Sequence, residues 1–285
     1  MRVMMSTAVK LCTRKLTHVI PTQGRGSVTA VASDGDDVYV LRGKSEQVEV
    51  YDAEKFAFKC YIKVPGLGSN ARGLAVCPKN SCLYAPNFMS CSVHRVELKA
   101  DNAAKNWSVS GRPAGLSVNK AHNLVVTCFE ASILQEYTTH GSLLREICLK
   151  AAGVTYPRHA VQLSSGDYAV SETHGKLPGE ISIVRVDGRV VKKYARSLTS
   201  DVGQMKRPMR IALTKNDDIL VADEENNRIL LIKRSESCIE ELALPVDGGI
   251  QSPWALCLDE SRDRLYVGEF GGKFRVLVFD NVTLT

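Results

Sequence analysis

One unit, strand–turn–strand–turn–strand, recurs along the whole chain and constrains its fold more than any other feature. The clearest copy is residues 208–233, PMRIALTKNDDILVADEENNRILLIK. Ile211 and Leu213 alternate with smaller neighbours. Asn216-Asp217-Asp218 forms a turn from side chains that hydrogen-bond their own backbone. Residues 219–222 are a short apolar run, and Asp223-Glu224-Glu225-Asn226-Asn227 is a second polar turn. Residues 229–232 are a third run, containing the β-branched residues that fit a pleated surface. One such meander cannot bury its own faces. Similar units are anchored at Gly26, Ala71, Pro113, Pro157, Pro208 and Pro253, at spacings of 45, 42, 44, 51 and 45 residues. Their second strands fall at 38–41, 83–85, 124–127, 168–171, 219–222 and 265–268. A repeat of about 40–45 residues with roughly four strands per unit marks a propeller of stacked blades. The expected fold is therefore all-β, a six-bladed β-propeller with four antiparallel strands per blade. It forms one domain over residues 1–285, with blades starting near 26, 71, 113, 157, 208 and 253.

The ends of the chain fit a closed ring. Residues 1–9 read as a loose start. Residues 15–20, KLTHVI, read as a strand stopped by Pro21, ahead of the first complete unit. The sixth unit has three strands of its own, so the N-terminal strand is expected to be its fourth. That would remove the sheet edges that invite aggregation. Pro86 is expected to break the end of the second strand in blade two. Blade four carries an insertion at 173–179, and a further stretch at 197–205 precedes blade five; both are expected to be loops on a binding face.

Composition excludes several classes. No window approaches eighteen apolar residues, and the N-terminus has no apolar signal region, so neither a membrane span nor secretion is expected. Nine cysteines occur without a CxxC pair. They read as buried free thiols of a reducing, cytoplasmic compartment. The net charge of +6 is too small by itself to argue for nucleic acid. The histidines are scattered, with no HxH or HxxxH spacing, so no metal and no cofactor is expected.

The fifth unit resembles an NHL repeat. That pattern has a proline, an apolar strand, a turn, a strand ending V-x-D, then x-x-N-x-R and an apolar strand. Here these are Pro208, Val221, Asp223, Asn226 and Arg228. The sixth unit keeps Pro253, Val267, Glu269 and Arg275. The fourth keeps Pro157, Val170 and Glu172, and the third keeps Pro113, Gly115 and Val126. The second keeps the run Arg72-Gly73-Leu74-Ala75-Val76. The resemblance extends over nearly the whole chain, and blade five alone carries the full motif. It is similar to the propellers that end TRIM-type ubiquitin ligases. The resemblance implies a module that binds protein or RNA, whereas ligase activity belongs to a separate RING, whose paired Cys/His ligands this sequence does not contain.

Asp223, Glu172 and Glu269 share one repeat position. They suit either metal ligands near the axis, as in six-bladed lactonases and lyases, or carboxylates that hold their own polar turns. Arg42, Pro86 and Cys128 stand at that position in the other blades, which favours the second use. The stronger signal is a set of arginines. Arg25, Arg72, Arg112, Arg158, Arg207 and Arg210 lie within two residues of five of the six anchors. Anchors begin the innermost strands, so propeller symmetry is expected to set these residues around one mouth of the channel. The turns between first and second strands collect Asp34, Asp36, Asp37, Asp167, Asp217, Asp218, Asp259, Glu260 and Asp263, and should make the opposite face acidic. Arginine there suits bidentate recognition of carboxylate or phosphate. His159, at a first-strand entrance, and His174, in the blade-four insertion, are candidates to face a partner. Phe88, Phe129, Tyr156, Trp254 and Phe270 are the aromatic candidates on the basic face.

Three function classes follow. The favoured one is a non-catalytic scaffold, monomeric in isolation, that binds a protein or peptide on its basic face. Sequence-selective binding of single-stranded RNA competes with it through the arginines, although aromatics make up only 6% of the chain and single-strand binding relies on exposed rings for stacking. A metal-dependent propeller enzyme of lactonase or lyase type is the third.

Overall fold

The computed structural model of the protein describes residues 14–20, 23–24, 26–67, 71–99, 103–175, 177–194 and 204–282. It is a six-bladed β-propeller, each blade a four-stranded antiparallel sheet. Strand β1 (Lys15–Ile20) comes first in sequence. Blade one is β2 (Val28–Ser33), β3 (Asp37–Arg42), β4 (Gln47–Asp52) and β5 (Phe58–Lys63). Blade two is β6 (Ala75–Cys77), β7 (Cys82–Asn87), β8 (Ser92–Glu97) and β9 (Ala104–Ser108). Blade three is β10 (Pro113–Val118), β11 (Leu124–Cys128), β12 (Ile133–Tyr137) and β13 (Leu143–Cys148). Blade four is β14 (Pro157–Gln162), β15 (Tyr168–His174), β16 (Leu177–Val184) and β17 (Val190–Tyr194). Blade five is β18 (Pro208–Leu213), β19 (Ile219–Asp223), β20 (Arg228–Lys233) and β21 (Cys238–Glu241). Blade six is β22 (Pro253–Asp259), β23 (Arg264–Glu269) and β24 (Val276–Asp280), completed by β1.

The core lies between blades, because a flat sheet buries both faces only against its neighbours. Leu41 and Leu83 pack between blades one and two, and Tyr84 and Leu124 between two and three. Leu134 and Tyr168 fill the next junction, and Ile181 with Ile219 the one after. Leu231 and Phe279 join blades five and six, while Tyr266 and Tyr51 join six to one. The central strands are therefore buried on both sides; all residues of β11 and β19 are buried. The ring closes as the sequence implies. β1 pairs antiparallel with β24, and Ile20 is fully buried against Val28 and Val276.

Several local expectations are corrected. Pro86 does not break its strand: β7 runs through it to Asn87, and Pro86 pairs with Val93. The ladder to β6 ends at Ala75 and Tyr84, so no pairing on that side requires the missing N–H. The 173–179 insertion is not a loop but an extension of the β15–β16 hairpin, with His174 opposite Leu177 and Gly175 at φ 65° in the turn. The stretch 197–203 lies outside the described residues. The thiols are not uniformly buried: Cys77, Cys82 and Cys128 are, but Cys60, Cys148 and Cys238 are exposed on outermost strands.

The turn face opposite the arginines is more neutral than the sequence suggests. Asp37 pairs with Lys59, Asp36 lies 3.8 Å from Arg262, and Asp217 is 3.4 Å from Arg234. Asp217 is buried and also accepts from the Ser164 N–H and hydroxyl, which ties blade five to blade four. Asp259 does the same for blades six and one, accepting from the Ser33 hydroxyl at 3.1 Å.

Candidate binding site at the channel mouth

The innermost strands β2, β6, β10, β14, β18 and β22 line a central channel, which contains a cavity of about 250 Å³. Where these strands begin, the pairing register shifts, between Val28 and Ala30, Pro113 and Gly115, Pro157 and His159, Pro208 and Ile211, and Pro253 and Ala255. Such bulges bend a strand and re-aim side chains. Two of them, in blades four and five, carry Arg158 and Arg210; the ladder of β6, the strand that follows Arg72, has no such shift.

The mouth is anchored from below by the shared acidic position. The Asp223 carboxylate is fully buried and accepts from the backbone N–H groups of Lys206 and Arg207, both at 3.0 Å, from Asn226 at 2.7 Å and from Arg228 at 3.1 Å. Glu172 accepts from the Thr155 N–H at 3.1 Å and the Ser182 hydroxyl at 2.8 Å. Glu269 accepts from the Gln251 N–H at 2.9 Å and from Arg275 at 2.8 Å. Each carboxylate thus holds the loop that leads into the first strand of its own blade through that loop's backbone N–H groups, and also accepts from side chains of the turn or strand that follows it. Among the described residues, no group of three or more His, Cys, Asp or Glu is placed to hold a metal ion.

Arg72, Arg158, Arg207 and Arg210 converge here from blades two, four and five. Arg210 forms the floor. It is 6% exposed and donates to the carbonyls of Arg158 at 3.1 Å and Ala114 at 2.9 Å, so it reaches from blade five to blades four and three. Two glycines make room for it. A Cβ on Gly115 would stand 2.5 Å from the Arg158 carbonyl and 2.9 Å from the Arg210 guanidinium, and one on Gly73 would stand 3.2 Å from it. Neither glycine was identified from the sequence as a site residue, although both recur just inside an anchor, in Arg72-Gly73 and Pro113-Ala114-Gly115.

The guanidiniums rest on aromatic rings. Arg158 lies 4.3 Å from the Phe129 centroid, Arg72 is 5.9 Å from Phe88 and 5.8 Å from Trp254, and Arg207 is 5.5 Å from Trp254. Trp254 is itself buried, stacked on Phe270 at 4.4 Å. Phe129 bridges Phe88 and Tyr156. The five aromatic candidates therefore do gather at this mouth. Cation–π contact is worth about 0.5–2 kcal/mol and holds a guanidinium flat while its N–H edge stays free.

Charge in the mouth is poorly balanced. No carboxylate pairs with Arg72, Arg158 or Arg210 among the described residues. Burial lowers the pKa of all three, and the neighbouring arginines push in the same direction. Arg158 is lowered to about 10 and Arg210 to about 9. Arg207 has Glu224 at 3.2 Å and Glu225 at 3.7 Å, and Arg112 on the rim has Glu130 at 2.8 Å. Arg25 lies outside the described residues, as does the side chain of His174.

His159 departs from its expected role. It is buried, not presented to a partner. Its Nε2–H donates to the Leu116 carbonyl at 2.9 Å, and its Nδ1 accepts from the Ile211 N–H at 3.3 Å, so one neutral tautomer ties three inner strands. Burial first, then Arg210, lowers its pKa to about 3. The folded state therefore excludes a proton that the unfolded chain takes up below its ordinary value of 6.5. Stability should be fully present above that value and fall as pH drops toward 3, by about 1.4 kcal/mol per pH unit within the window. His94, also lowered by burial, adds with the same sign. Thermal melts between pH 7 and 4.5 should show a shallower slope for His159→Gln than for the native chain; equal slopes would contradict this.

No family model matches the chain, and no curated protein matches it. Solved structures do. The chain is similar to an aldose sugar dehydrogenase from Streptomyces coelicolor in its PQQ-bound form, with 12% identity over 94% of this chain and 98% of that one and a TM-score of 0.72. It is similar to a streptogramin B lyase at 14% identity, over 92% and 96% of the two chains, TM-score 0.65. It is similar to the WD40 propeller domain of Doa1 at 13% identity, over 94% and 97%, TM-score 0.64. At such identities the likeness is one of fold.

Proposed function

We propose that the chain is a non-catalytic recognition propeller that binds a protein partner at the arginine-lined mouth. The observation that carries this reading is the convergence of Arg72, Arg158 and Arg210, from three blades, without a carboxylate partner among the described residues. Uncompensated guanidiniums near a surface are stabilised when an anionic partner arrives. The NHL reading is supported by the geometry of blade five, where Asn226 and Arg228 of the motif both donate to Asp223. On that reading the chain acts as the partner-selecting arm of a TRIM-like system in the cytoplasm, and any ubiquitin ligation depends on a RING.

A protein is favoured over RNA by the use of the rings. Phe88, Phe129 and Trp254 are covered by guanidiniums, and Phe270 by Trp254. Faces already occupied are not platforms for bases. Tyr156, 49% exposed, is the ring left open. The test is capture from a lysate with and without nuclease, together with filter binding of random RNA at two salt concentrations. Nuclease-resistant capture with no salt-sensitive RNA retention is expected. Capture abolished by nuclease would transfer the mouth to RNA.

A further inference from the structure

We infer that the mouth is a carboxylate subsite, taking the side chain of an acidic residue from an extended peptide whose backbone lies in the adjoining cleft. The inference rests on the protein-binding reading and specifies its chemistry.

Three observations converge on it. The first is the floor. Arg210 is nine-tenths buried, and the two carbonyls it touches are neutral acceptors, so its charge has no counter-ion among the described residues. Arg158 stands beside it, its Nε donating to Thr173 at 2.7 Å, and Arg72 contributes a third positive charge. A guanidinium carries five N–H donors, and these bonds leave several unused. The second is the Trp254 indole N–H, buried and without an acceptor next to Arg72 and Arg207. The site thus combines unused donors with excess positive charge. A planar carboxylate supplies acceptors for two parallel N–H groups and one negative charge.

The third is the cleft. A cavity of about 640 Å³ opens beside the mouth, bounded by Arg72, Phe270, Phe274, Tyr61, Lys44 and Gln47. Arg72 belongs to both places. A peptide in the cleft would pass its side chain across Arg72 to the floor. Its volume is of the size that encloses a short ligand segment. A nucleic-acid backbone fits less well, because its phosphates lie along a continuous chain and cannot descend singly to a guanidinium that is 6% exposed.

The probes are an octamer of glutamate, the matching octamer of glutamine, inorganic phosphate and a single-stranded RNA octamer, each titrated into the full chain. Trp254 reports on the mouth. Trp107, packed between Tyr84 and Tyr137, does not, and a Trp107→Phe background removes its signal. The glutamate peptide is expected to change Trp254 emission saturably, and the glutamine peptide to leave it unchanged at the same concentration. Arg158→Gln should weaken the glutamate peptide at least tenfold, with an unchanged circular dichroism spectrum. Arg112→Gln, already paired with Glu130 on the rim, should weaken it less than threefold. Equal binding of the two peptides, loss equal for the two arginine variants, or saturation by phosphate or RNA but not by the glutamate peptide would each overturn the subsite. If protein capture still depends on the arginines while the glutamate peptide fails, the recognition reading stands and the carboxylate inference alone falls.

Discussion

A variant lacking residues 1–20 is expected to melt far below the full chain and to self-associate. β1 is the outermost strand of blade six, and Ile20 is fully buried where blades six and one meet. Its loss leaves β24 as a bare edge, with unpaired backbone groups that template pairing with another copy. It also uncovers part of the apolar surface around Val276 and Val278. An Ile→Ala change at such a site costs about 2–5 kcal/mol, against a total stability of about 5–15 kcal/mol for a typical domain. Ile20→Ala should therefore lower the melting temperature while leaving the chain monomeric. The truncation should do both more damage and different damage, visible as a higher-order species by size-exclusion chromatography. Equal melting temperatures and a monomeric truncation would show that β1 does not close the ring.

Removing the arginines of the mouth should have the opposite profile. Replacing Arg72, Arg158 and Arg207 together with glutamine is expected to abolish partner capture at little expense to the fold. Arg72 and Arg158 lose no ion pair, and the mutual repulsion that lowers their pKa values is relieved. Against that stand lost cation–π contacts, about 0.5–2 kcal/mol each, the Arg158–Thr173 hydrogen bond and the Arg207–Glu224 pair. The melting temperature should therefore change by only a few degrees. Truncation of an anchoring residue in an interface commonly costs 2 kcal/mol or more of binding. Arg210 is left out because it is structural as well as charged: it spans three blades beneath the surface.

Much of this was legible in the sequence, and the parts that were not share a physical reason. Strands such as Ile219–Asp223 could be located from the repeat and its polar turns, because local alternation and turn chemistry determine them. Closure followed from the missing strand of blade six. The convergence of Arg72, Arg158, Arg207 and Arg210 followed from symmetry alone. What failed depends on neighbouring blades. His159 and Trp254 look like surface residues in a loop entering a strand, but register shifts at Pro157 and Pro253 coincide with their burial. Alternation in sequence cannot show such a shift, since one extra residue reverses the side on which every following side chain lies. The 173–179 segment reads as a polar insertion, yet it pairs with itself across a turn at Gly175. Asp217 reads as a solvated turn acid, and only the adjoining blade shows that Ser164 needs it.

Recognition at the arginine mouth, and not at the opposite turn face, is what most needs to be tested. Two variants test it in one capture experiment. One carries Arg72→Gln, Arg158→Gln and Arg207→Gln. The other carries Asp36→Asn and Glu260→Gln, at exposed positions in the turns between first and second strands. With both confirmed folded by thermal melting, the mouth variant should lose the partner that the native chain retains, and the turn-face variant should keep it. Retention by the mouth variant and loss by the turn-face variant would instead place recognition on the turn face.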